Sequence, residues 1–170
     1  MSALSLVPPV SCAECGFRAE AADASAIAAI GPEFQGELSG ADEALLRKRP
    51  DQTSWSALEY AAHMRDVIAL WGGALHRAIT EDRPRLSRPD PDIADRIASE
   101  AGYNDQDPGA VLEQLAANAS RMARKAEQVE TDWWGRVILI GDEQLSARDI
   151  VVKVAHEGHH HLLDVQRVLR

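Results

Sequence analysis

The chain is short of cysteine, of positive charge, of aromatic rings and of long apolar runs. Its two cysteines fall in one cluster, Cys12-Ala13-Glu14-Cys15-Gly16. With no second C-x-x-C, a zinc ribbon is excluded. No apolar run approaches the ~20 residues of a membrane span. Met1 to Val10 lacks both a basic region and a sustained apolar stretch, so no secretion signal is expected and a soluble cytoplasmic protein is. Lys and Arg number 18 against 27 Asp and Glu, a net charge of −9 that repels phosphate backbones. The one dense basic group, Arg47-Lys48-Arg49, runs straight into Pro50 and Asp51 and reads as a solvated helix end. Nucleic acid is not an expected partner. Among few aromatics, Trp55, Trp71, Trp133 and Trp134 stand out. They serve either as core or as the walls of a pocket.

What the chain does have is helical period and enough apolar content, 45%, to fill one core. Residues 1–22 read as an irregular arm and 23–170 as a bundle domain. Ile27, Ile30, Phe34 and Leu38 recur at helical spacing behind Asp23 or Ser25, with Gly31-Pro32 expected to kink or restart that helix. Ser56 and Glu59 form a capping box, and Trp55 sits where a hydrophobic staple would (Thr53 and Ser54 precede it). The helix they open should reach Thr80. A long proline- and aspartate-rich connection follows over 82–106, with a short helix expected near Ile93. Asp107-Pro108 starts a third long helix. Residues 131–142 break the period and suggest a short β segment, after which Ser146 and Asp149 cap the last helix. The fold class expected is all-α, a four-helix bundle with a long second connection. Bundles bind metals with side chains that project inward.

Four of the six histidines crowd into His156-Glu157-Gly158-His159-His160-His161. His156 and His160 stand one helical turn apart on one face, the spacing of paired zinc ligands. With His63, two turns inside its helix, they would give three nitrogens and an open position, the pattern of catalytic zinc. Glu59, Asp66 and Asp164 each lie one turn from a ligand and could orient a ring, Glu59 also serving as a base. Glu157 lies off the face of His156 and His160, so a metalloprotease base is not read there. Cys12 and Cys15 remain open between a redox pair, a metal clip completed by a histidine or carboxylate, and two reduced thiols on a mobile arm.

The run Trp55-Ser56-Ala57-Leu58-Glu59-Tyr60-Ala61-Ala62-His63 together with the last-helix histidines resembles the DinB/YfiT-like proteins over roughly residues 23–170. The segment Cys12 to Phe17 is similar to one subgroup of that superfamily. The resemblance implies a four-helix bundle, often dimeric, with a divalent zinc or nickel on three histidines, here His63, His156 and His160. It also implies a transferase that uses mycothiol, bacillithiol or a related small thiol against an electrophile. A thiol-dependent isomerase, a hydrolase on the same site, and a non-catalytic metal-binding stress or interaction protein are the alternatives.

Overall fold

The computed structural model describes residues 6–88 and 93–170; the first five residues of the arm and 89–92 of the second connection lie outside the described residues. Helix α1 spans Ala24–Leu38, α2 Glu43–Leu46, α3 Ala57–Thr80, α4 Ile93–Glu100, α5 Pro108–Glu127 and α6 Ala147–Val168. Strands β1 (Arg85–Leu86), β2 (Val137–Ile140) and β3 (Glu143–Ser146) form one small sheet in that order. The expected β segment is thus a hairpin, β2 antiparallel to β3, with β1 added in parallel from the second connection.

Each long helix starts where its side chains can satisfy the first free N–H groups. Asp23 accepts from Ala26 N–H at 2.9 Å, and Asp107 from Ala110 N–H at 2.7 Å. Ser56 and Ser146 each form the full reciprocal capping box, with Glu59 and Asp149.

Helix α1 packs on α5 and α6, and α3 packs on the same two. The chain-neighbours α1 and α3 therefore sit across one diagonal, and α5 and α6 across the other. The helix does not restart at Gly31-Pro32: α1 continues through Pro32 to Leu38. Gly31 serves packing instead. A Cβ there would stand 2.8 Å from the Ala116 Cα, so the bare backbone lets α5 close in. Among the described residues, no helix is long and apolar enough to cross a membrane.

The described part of the arm packs against the bundle core. Leu6 and Phe17 are buried, and burying Phe17 alone contributes about 1.5–3 kcal/mol. A bridge joins Ser11 to Arg18, and Arg148 of α6 donates to the carbonyls of Ala19 (2.9 Å) and Ala22.

Candidate metal centre

His63 is positioned by the start of α3. The capping box fixes the first turn, and Trp55 packs on Tyr60 with ring centroids 5.5 Å apart, which closes the staple. Trp55 also sets its ring edge-on to His63 at 4.9 Å. Glu59, the expected base or orienting group, is committed elsewhere. Its carboxylate accepts from Ser56 N–H at 2.9 Å and from Arg49 Nε at 2.8 Å. Burial raises its pKa, but the Arg49 guanidinium and the Ser56 N–H outweigh that and hold it below the usual carboxylate range. Asp66 is likewise engaged away from His63, accepting from Tyr103 O–H at 2.6 Å and from Arg65 Nε at 2.7 Å.

The structure does not bring His63 together with His156 and His160. His63 lies with Glu157 and His161, one donor atom from each within 4.8 Å of the others. The rings of His63 and His161 are 5.2 Å apart and nearly perpendicular. His156 and His160 gather with Cys12 and Cys15 of the arm, again within 4.8 Å.

The reason is helix phase. The buried residues of α6 are Ala147, Ile150, Val151, Val152, Val154, Ala155, Gly158 and Val165, and all but Val152 fall on one stripe. At about 100° per residue, His161 and Glu157 flank that stripe on the side of α3, whereas His156 and His160 lie nearly opposite it. Both pairs have the i,i+4 spacing, so spacing alone could not choose between them. The phase of the buried stripe distinguishes them, placing Glu157 and His161 toward α3.

Each residue of the inner trio is held in a metal-binding form. Burial, and then the neighbouring His161, push His63 down to about 4, so its ring is neutral. His161 donates Nδ1–H to Asp164 Oδ2 at 3.0 Å, which leaves the Nε2 lone pair free to bind. Asp164 thus supports His161 rather than His160 alone, whose Nε2 stands 4.0 Å from the same oxygen. Lys153 Nζ pairs with Glu157 Oε1 at 2.8 Å, and its ammonium sits over the Trp71 ring at 5.4 Å. Burial raises the Glu157 carboxyl, but the Lys153 charge outweighs it and keeps the group ionised. Tyr60 flanks His161 at 5.3 Å. Of the four tryptophans, Trp55 and Trp71 stand by this centre, whereas Trp133 stacks under Arg136 beside the hairpin.

In the outer group, Cys12 Sγ is 3.9 Å from His160 Nδ1. The Cys15 backbone N–H and the His156 side chain lower the Cys12 thiol to about 6, while burial raises Cys15. Neither cysteine is in a disulfide.

The family model described as the DinB superfamily matches residues 29–165. Comparison with curated proteins gives no match. YfiT from Bacillus subtilis, described as a probable metal-dependent hydrolase with an unusual four-helix bundle topology, is similar in fold. It aligns with a TM-score of 0.77 at 13% identity, over 85% of this chain and 82% of that one. The mycothiol-dependent maleylpyruvate isomerase aligns with a TM-score of 0.67 at 15% identity. That alignment covers 88% of this chain and only 61% of the isomerase, and a histidine-to-alanine mutant of it aligns equally well.

Proposed function

This chain belongs to the DinB superfamily, and from that premise we propose that it is a divalent-metal enzyme. On this reading it activates a low-molecular-weight thiol for transfer to an electrophilic small molecule. Its ligands are His63, Glu157 and His161. The observation that carries this is the convergence of those three donors from two facing helices. Two imidazoles and one carboxylate are a known catalytic zinc set, and the imidazoles also suit nickel. Three protein ligands leave a position for a substrate, which favours a reactive centre over a purely structural one.

A divalent ion bound there would supply Lewis acidity, lowering the pKa of a thiol or water that binds it. The chain's own groups do the rest. His63 stays neutral through burial, so no proton competes for its lone pair. Asp164 fixes the His161 tautomer and ring plane. Lys153 holds the Glu157 carboxylate in place, and Trp55 and Tyr60 shield the two rings from water.

The thiol reading draws on the likeness to a mycothiol-dependent isomerase. A hydrolase on the same ligands is the second reading, favoured by the likeness to YfiT. A thiol-conjugation screen separates them: mycothiol, bacillithiol and glutathione are each offered with a generic electrophile, with and without added metal. Metal-dependent loss of one thiol is expected. Absence of metal-dependent turnover with every thiol would overturn the transferase reading and leave hydrolysis or a non-catalytic role.

A further inference from the structure

We propose that Cys12, Cys15, His156 and His160 form a second, closed Cys2His2 zinc site that clasps the N-terminal arm to α6. It shares no ligand with the His63 centre and does not depend on what that centre does.

The geometry is close to what zinc needs. Tetrahedral zinc, with Zn–S of about 2.3 Å and Zn–N of about 2.0–2.1 Å, places its ligand atoms about 3.3–3.8 Å apart. Here four donor atoms lie within 4.8 Å of one another, and Cys12 Sγ to His160 Nδ1 is already 3.9 Å. Side-chain shifts of an ångström or less would complete the tetrahedron. His156 Nε2 is buried and has no hydrogen-bond partner among the described residues, a state that a ligand would relieve.

The arm is shaped around its two cysteines. Cys12 N–H donates to Phe17 O and Gly16 N–H to Cys12 O, both at 2.9 Å, so the segment is a tight hairpin. Gly16 turns it with a φ of +76°, where a side chain would be strained. His159 Nε2 pairs with Cys15 O at 2.8 Å, and Phe17 lies 5.1 Å from the His156 ring. These contacts bring the hairpin onto the α6 face that points away from the bundle core.

The surroundings also fit. Metal-bound imidazoles usually turn their other N–H to a carboxylate. With His160 Nδ1 facing Cys12, its Nε2 faces Glu14 Oε2 at 3.7 Å and Asp164 Oδ2 at 4.0 Å. Glu14 is itself anchored by Arg167 at 2.8 Å. Two thiolates balance one Zn²⁺, the thiol protons leaving to solvent, and soft sulfur donors select zinc over magnesium or calcium. Four protein ligands leave no open position, so the role is structural.

Cobalt(II) tests this directly on the full chain after its metals are removed by chelation. A thiolate-to-cobalt charge-transfer band and strong tetrahedral visible bands are expected. The Cys12→Ser, Cys15→Ser double variant should lose that band and one ion per chain, while His63→Ala keeps the band and loses the other ion. Should the serine variant not fold, Cys15→His keeps four donors and should retain a weaker thiolate band. A folded wild-type chain without the band, or a band that survives in the double serine variant, would overturn the clasp. So would a Cys12–Cys15 disulfide in freshly purified protein. None of these outcomes bears on the His63 centre, whose own failure would show as loss of the His63-dependent ion.

Discussion

His161 donates its Nδ1–H to Asp164 one turn further along α6, at 3.0 Å. That bond fixes which nitrogen of His161 remains to bind a metal, and it makes Asp164 the supporting carboxylate of the inner centre. Asp164→Asn should therefore weaken metal binding there by about 10–100-fold, the usual cost of losing such a partner. Asp66→Asn should leave the affinity unchanged, since Asp66 is held by Tyr103 and Arg65. Competition with a chelating indicator measures both.

Glu59 is tied into the start of α3. Its side chain is 1% exposed and binds both Ser56 N–H and Arg49. Glu59→Ala should cost about 1–3 kcal/mol by leaving those donors unpaired. The pH dependence has a definite sign. The folded carboxyl is held below its usual value, so on acidification the unfolded chain takes up the proton first. Its contribution is present above the ordinary carboxylate range and is lost as pH falls through the folded value. Urea unfolding at stepped pH should show Glu59→Gln with a flatter acid limb than wild type.

Glycines in α1 should divide by what stands over them. Gly31→Ala places a methyl 2.8 Å from the backbone of Ala116, and the overpacking should cost about 1–3 kcal/mol despite the better helix former. A Cβ at Gly36 would have nothing among the described residues within 4 Å, so Gly36→Ala should stabilise by about 0.5–1 kcal/mol. Thermal denaturation of the pair reads the contrast.

Most of the fold was legible because its signals are local. Capping boxes at Ser56 and Ser146, the Asp107-Pro108 start and the apolar period of α1 each specify a helix without reference to the rest. The parallel pairing of β1 with β2 was not, since Arg85 meets Leu139 across 54 residues of chain and nothing local encodes that register. At the candidate site, the sequence placed His63 two turns inside α3, behind the staple. Which α6 side chains face His63 was obscured because two i,i+4 pairs, His156 with His160 and Glu157 with His161, overlap in one run. Only the phase of the buried stripe separates them. The closeness of Cys12 to His160 depends on how a separate segment docks, which neither motif states alone.

The proposed inner centre is formed by His63, Glu157 and His161. Metal content of His161→Ala, measured per folded chain beside wild type, tests it most directly. One divalent ion fewer is expected. A His161→Ala chain that keeps the full wild-type complement would contradict it.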